Sequence, residues 1–282
     1  MLVPTDHILQ EARRRGYAVG AFNVYTLEGI RAVVSAAESS LSPAILQVLP
    51  AALDVGGTPL IAAGLEAARH SAVPMSVHLD HCDVPLTIEI ALKAGVSSVM
   101  ADGSALALGD NLVFTSRMVR LAASMGRTVE AELGRLTGDE DGITVDKRNA
   151  SLTDPVQAAD FVSATGVHAL AVCIGNVHGT YHEPPQLDFD RLSAIAENVS
   201  IPLVLHGTSG LPDAMIARAV ALGVSKFNVN TELRTACLKA GRAYLTGSDK
   251  PELAERMRIE ISAMVQPVRV KIACFGSEGK AA

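Results

Sequence analysis

At 282 residues the chain is long for one average domain but ordinary for a single α/β barrel. Hydrophobic residues make up 49% and charged residues 19%, enough apolar material for a large core, which argues against a disordered chain. The formal net charge is −6 with acids and bases interspersed, and no basic run or aromatic–basic stripe points to nucleic acid.

The opening stretch, Met1-Leu2-Val3-Pro4-Thr5-Asp6-His7, has neither a basic n-region nor an apolar h-region, so no signal peptide is expected. No run reaches the roughly 18 consecutive apolar residues of a membrane span. The expected compartment is the cytoplasm. From there, short apolar runs alternate with longer amphipathic ones. Strands are predicted at Val19–Val24, Ala44–Leu49, Met75–Asp80, Ser98–Asp102, Thr128–Leu133, Ala169–Gly175, Pro202–Gly207 and Lys226–Asn230. Helices are predicted near Leu27–Ser40, Thr58–His70, Pro85–Ala94, Asn111–Met125, Pro155–Thr165, Asp190–Asn198, Pro212–Leu222 and Thr231–Leu245, several opening after Thr, Asp or Pro. Many strand runs are apolar throughout, as in strands covered on both faces.

Eight βα units in this length argue for a closed (β/α)8 TIM barrel. The alternative, an open doubly wound sheet, usually carries a Gly-rich phosphate loop after its first strand, and no G-x-G-x-x-G is present. No linker divides the chain, so residues 1–282 are expected to form one domain. The polar segment Gly134–Ser151 reads as a long mobile βα loop. A C-terminal extension over 249–282 holds a helix around Pro251–Lys271 and ends irregularly. Cys82, Cys173, Cys237 and Cys274 form no C-x-x-C pair and read as free thiols.

Polar residues gather where these strands end, which in a barrel is the catalytic face. His78-Leu79-Asp80-His81 closes the third run and Glu130-Ala131-Glu132 the fifth. Asn176-Val177-His178-Gly179 follows the sixth, His206-Gly207 closes the seventh, and Asn228-Val229-Asn230-Thr231 the eighth. His81, His178 and His206 could supply three imidazoles to a zinc ion with an open coordination position. Such an ion polarises a carbonyl, and Asp80, beside His81, could move the accompanying proton. Taken singly, each of these is an ordinary hydrogen-bonded residue; together they favour a metal site. His78 shares the side of Asp80 by strand alternation and is a candidate partner behind the site. His7, His70 and His168 are assigned to the surface. The turns at His178-Gly179 and His206-Gly207-Thr208-Ser209-Gly210, with the helix start at Asn230-Thr231, could present N–H groups to a phosphate. The bland reading is that these glycines permit tight turns.

In order and spacing, these motifs resemble the class II fructose/tagatose-bisphosphate aldolase family. The resemblance runs from Ala21-Phe22-Asn23 to Gly276-Ser277-Glu278-Gly279-Lys280, nearly the whole chain. It implies a zinc ion on His81, His178 and His206, with Glu132 as an alternative carboxylate ligand. It implies Asp80 as the acid/base at the C4 hydroxyl and Glu140 as the group exchanging the enediolate proton. Asn228 would lie against the dihydroxyacetone phosphate portion. Asn23, Gly179, His182, Gly207, Ser209, Asn230 and Thr231 would line the substrate and phosphate site. A sodium or potassium ion near Gly179 and Gly207, and a homodimer or homotetramer, follow from the same resemblance. No membrane or nucleic-acid partner does.

The expected reaction is reversible cleavage of a ketose 1,6-bisphosphate, fructose or tagatose, to dihydroxyacetone phosphate and glyceraldehyde 3-phosphate. The negative charge that cleavage leaves on the ketone oxygen is the metal's to stabilise, so no Schiff-base lysine is needed. Lys226, opening the eighth run, is expected at the wrong end of the barrel for a catalytic amine. Three positions depart from the family: Leu49 where Ser or Thr is common, His182 where a Lys often reaches phosphate, and Asn230 where Asp is common. Two other readings therefore stay open, a different ketose 1-phosphate such as a deoxy- or sulfosugar, and a non-catalytic sugar-phosphate-binding protein on the same fold.

Overall fold

The computed structural model describes residues 1–140, 143–145, 151–179 and 183–281 and, within these, side chains everywhere but at 137–140, 143–145 and 178. Helix α1 (Thr5–Arg15) leads into β1 (Val19–Asn23), α2 (Leu27–Ser39), β2 (Ala44–Val48), α3 (Pro50–His70), β3 (Met75–Cys82) and α4 (Pro85–Ala94). There follow β4 (Ser98–Ala101), α5 (Leu108–Ala123), β5 (Thr128–Leu133), β6 (Thr137–Glu140), β7 (Ile143–Val145), α6 (Pro155–Thr165) and β8 (Ala169–Val172). The chain continues through β9 (Val177–His178), α7 (Phe189–Asn198), β10 (Leu203–Leu205), α8 (Asp213–Ala221), β11 (Val224–Val229), α9 (Thr231–Gly247) and α10 (Leu253–Cys274). Strands β1, β2, β3, β4, β5, β8, β10 and β11 close into a barrel in that order, β11 pairing back to β1, and the pairs are parallel. This is the (β/α)8 barrel, and its strands fall within a few residues of the apolar runs. The strands are buried almost throughout, because helices cover the outer face and side chains fill the inner one.

Two apolar regions result. The larger lies between strands and helices, with Phe22, Leu46, Val77, Ile61 and Phe161 among its members. The smaller lies inside the barrel, where Ile8, Leu9, Ala12 and Tyr17 meet Val19, Ala21, Ile45, Met100, Ala169, Ala171 and Val204. Most of the first group belong to α1, which thus plugs the N-terminal mouth.

Four features differ from the sequence expectation. Helix α1 was not foreseen, because its apolar stripe of Ile8, Leu9 and Ala12 is short and embedded in charge. Helix α3 begins at Pro50 rather than Thr58: Pro50 suits a first turn, and Gly57 (φ 60°, ψ −170°) joins that turn to the helix proper. In the segment expected to be a loop, β6 pairs antiparallel with β7 and parallel with β9, as suits the β-branched Thr137, Ile143, Thr144 and Val145. The C-terminus is irregular but tied down: Phe275 stacks on Phe227 with centroids 4.7 Å apart, and Gly279 N–H and Ala281 N–H donate to Ser40 and Leu41. Helix α10 packs on α9 and α2. Among the described residues, no helix is long and apolar enough to cross a membrane.

Candidate active site

Alternation carries side chains up the barrel interior two residues at a time. From the apolar plug, the next inward positions are Asn23 after Ala21, Gln47 after Ile45, and Asp80 after His78. Asp80 is 2% exposed, and amide donors from three strands hold it. Its Oδ2 accepts from Asn23 Nδ2 at 2.9 Å and Gln47 Nε2 at 3.3 Å; its Oδ1 accepts from Asn228 Nδ2 at 3.0 Å. A carboxylate so clamped has a set direction, which proton transfer requires.

In a regular strand Asp80 and His81 would face opposite ways. Here the β3–β4 register breaks between Leu79 and Cys82, and His81 takes φ 37°, a left-handed backbone rare for non-glycine residues. The irregularity turns His81 into the site beside Asp80, as bulges near active sites do. His81 Nδ1 is 2.8 Å from Asp102 Oδ2, and its ring meets that of His206 edge-on with centroids 4.5 Å apart. His206 in turn places Nε2 at 2.9 Å from Glu130 Oε1 and Nδ1 at 3.5 Å from Glu132 Oε2. One ligand atom each from Asp80, His81 and His206 lie within 4.8 Å of one another, and the same holds for His81, Asp102 and Glu132.

The electrostatics fit a cation. Burial opposes charge on His81, yet Asp80, Asp102 and Glu132 overcome it and raise its pKa to about 10. Burial, reinforced by Asp102, pushes the Glu132 carboxyl up to about 8. Despite burial, His81 holds Asp102 well below the usual carboxylate range. In the metal-free chain a proton on His81 thus compensates clustered carboxylates, the office of a bound cation. Glu132 Oε2 is buried without a hydrogen-bond partner among the described residues, which marks it as a waiting ligand atom. A divalent metal therefore fits between His81 and His206 with the Glu132 carboxyl at hand and Asp80 beside it, Asp102 and Glu130 orienting the two rings through their other nitrogens.

One pocket is lined by Asn23, Leu49, Asp80, His81, His206, Gly207, Thr208, Ser209, Asn228 and Asn230. The site residues expected at the ends of β1, β3, β10 and β11 therefore do meet. Gly207 (φ 63°) and Gly179 (φ 79°) have backbones that side chains rarely adopt. Thr208 Oγ1 donates to Asn228 O at 2.8 Å, Ser209 Oγ bonds to Glu232, and Tyr25 OH donates to Asn230 Oδ1 at 2.9 Å. Thr231 opens α9. The backbone of His178 lies in β9 and that of Glu140 in β6, but both side chains are outside the description, and His182 lies outside the described residues altogether.

His78 does not reach the pocket. It sits one layer below, its Nδ1 2.7 Å from Ser98 Oγ, and burial lowers its pKa to about 3. His168 is half-buried rather than a surface residue, and its Nδ1 accepts from Val129 N–H. Lys226 is likewise not at the wrong end: β11 opens two residues earlier, and the Lys226 ammonium extends upward to Asn228 Oδ1 at 2.7 Å. Gln47, Asp102, Glu130 and Lys226 are contacts the sequence reading missed. Strand parity was the available signal for Glu130 and Lys226, each two residues before a strand-end polar group, Glu132 and Asn228.

The family model described as fructose-bisphosphate aldolase class-II matches residues 3–280. The YdjI aldolase from Escherichia coli K12 is 35% identical, with all of both chains covered and a TM-score of 0.89. A candidate fructose-1,6-bisphosphate aldolase from Coccidioides immitis is 33% identical over 98% of this chain and 97% of its own, with a TM-score of 0.92. Fructose-bisphosphate aldolase from Campylobacter jejuni shares the fold at 22% identity, covering 99% of this chain and 97% of its own, with a TM-score of 0.80.

Proposed function

The chain belongs to the class II fructose-bisphosphate aldolase family, and from that membership we propose that this aldehyde-lyase cleaves a ketose 1,6-bisphosphate, fructose or tagatose, into dihydroxyacetone phosphate and glyceraldehyde 3-phosphate. The observation that carries the reading is the Asp80 carboxylate, clamped by Asn23, Gln47 and Asn228 within 4.8 Å of a ligand atom on both His81 and His206.

The residues divide the work as follows. Zinc is the proposed metal, held by His81, His206 and His178 with Glu132 as an alternative ligand, and it supplies a Lewis acid for the ketone oxygen. Asp80 takes the proton of the C4 hydroxyl as C3–C4 breaks, and the bonding pair passes toward the C2 carbonyl. The aldehyde departs, and Glu140 returns a proton to C3. Asn228 orients the retained three-carbon half as well as Asp80. Backbone N–H groups at Gly179, Gly207 and Ser209 and at the start of α9 receive the 1-phosphate, and a sodium or potassium ion near Gly179 and Gly207 assists. Lys226 is engaged with Glu130 and forms no Schiff base. A homodimer or homotetramer is proposed from the family membership. The cytoplasm is the proposed location.

Leu49 favours a second reading. It is 5% exposed and places apolar surface in the pocket wall, at the position where the resemblance leads to a Ser or Thr hydroxyl, so the aldehyde half could come from a deoxy- or sulfosugar. A coupled assay for dihydroxyacetone phosphate across a panel of ketose phosphates separates the two. Release from fructose or tagatose 1,6-bisphosphate supports the first reading. Release only from another ketose 1-phosphate transfers the proposal to the second, and release from none contradicts both.

A further inference from the structure

Below the pocket, the barrel holds a polar layer that the cleavage steps do not use. Lys226 is wholly buried. Its ammonium donates to Glu130 Oε2 at 2.9 Å, to Glu130 Oε1 at 3.2 Å and to Asn228 Oδ1 at 2.7 Å. Each acceptor has a second partner above it. Asn228 Nδ2 donates to Asp80 Oδ1 at 3.0 Å, and Glu130 Oε1 lies 2.9 Å from His206 Nε2. One ammonium thus feeds two arms, one ending at the carboxylate and the other at an imidazole of the metal site.

Both arms are directional. A carboxamide has a donor end and an acceptor end. With Lys226 under Oδ1, the flipped Asn228 would set its NH₂ against an ammonium and its oxygen against the Asp80 carboxylate. On the other arm, Glu130 accepts from Nε2–H of His206, which turns the Nδ1 lone pair toward Glu132 and the pocket. Lys226 fixes Glu130 in that duty by contacting both its oxygens. Buried charge of this kind is costly unless paired, and an apolar layer would fill the space at less cost, as it does at the barrel mouth.

We propose that Lys226, through Glu130 and Asn228, is a positioning residue that aligns the metal-binding imidazole and the proton-transferring carboxylate with one another. The proposal rests on the reading that Asp80 moves the proton and that His206 faces the metal. It assigns Lys226 no contact with substrate.

The test compares wild type, Lys226→Met and the charge-balanced Lys226→Met/Glu130→Gln, with Asp80→Ala alongside. Thermal midpoint, kcat and KM are measured, with cobalt(II) affinity by chelator competition and the d–d spectrum of the cobalt-loaded protein. Lys226→Met leaves Glu130 without its cation and is expected to lower the midpoint and to weaken cobalt binding by about 10–100-fold. The double variant, free of the unpaired charge, carries the test even if the single one does not fold. It should regain most of the midpoint yet keep kcat down by about tenfold or more, with KM little changed and the cobalt spectrum altered. Wild-type kcat and cobalt spectrum in the double variant would reduce the pair to buried-charge packing and overturn the proposal. If Asp80→Ala retained wild-type turnover, the underlying reading would fall instead, and the arm through Asn228 with it.

Discussion

At the N-terminal mouth of the barrel, Ile8, Leu9 and Ala12 of α1 close over Val19, Ala21 and Ile45. Two residues further along, β1 and β2 bury Asn23 and Gln47, and the neighbouring strands Asp80, Glu130, His206 and Lys226. The backbone scaffold is shared, but the energetics are opposite. Apolar burial stabilises the mouth directly. The polar end must satisfy every group it removes from water, and among the described residues it does so incompletely, as Glu132 Oε2 shows. Stability and chemistry are therefore concentrated at different ends of one barrel, as in other enzymes of this architecture.

Perturbing each end separately sharpens the contrast. The largest effect belongs to the metal. Exhaustive chelation should abolish turnover, and zinc or cobalt should restore it; turnover indifferent to metal removal would break the assignment of the polar end. Next comes the plug. Leu9→Ala, at 2% exposure, should cost about 2–5 kcal/mol of stability while kcat at a permissive temperature stays within about twofold. An equal loss at both ends would show them to be coupled. A third effect, confined to acid pH, is set by His78, between the two. Burial, with Lys226 acting the same way, lowers its pKa from 6.5 to about 3. The unfolded chain thus binds a proton that the folded chain refuses. Stability should fall as pH drops from about 6.5 toward 3, by up to about 1.4 kcal/mol per pH unit, and be unaffected by this group above that window. His78→Gln should flatten that limb in thermal melts of the metal-free protein, whereas parallel curves would rule the effect out.

The barrel was legible because strands covered on both faces read as bare apolar runs, and Met75–Asp80 or Thr128–Leu133 need no partner to be seen. Helix α1 was not, since its stripe acquires meaning only against the barrel mouth. That Asp80, His81, His206, Asn23 and Asn228 end strands at one rim was equally visible. The shared direction of Asp80 and His81 was not. It depends on a register break that strand alternation alone contradicts. Lys226 was misplaced for a related reason, because a long side chain carries its charge well away from its own position on the strand. Asp102 could be seen ending a strand but not pairing with His81, a contact between strands that no local pattern encodes.

The most direct test of the account is the metal content and turnover of Asp80→Ala, measured on one preparation. The clamped carboxylate is assigned the proton, while the imidazoles keep the ion. The variant should therefore hold its full metal complement and lose about 10²–10⁴-fold in kcat. Turnover at the wild-type level would contradict that division of roles.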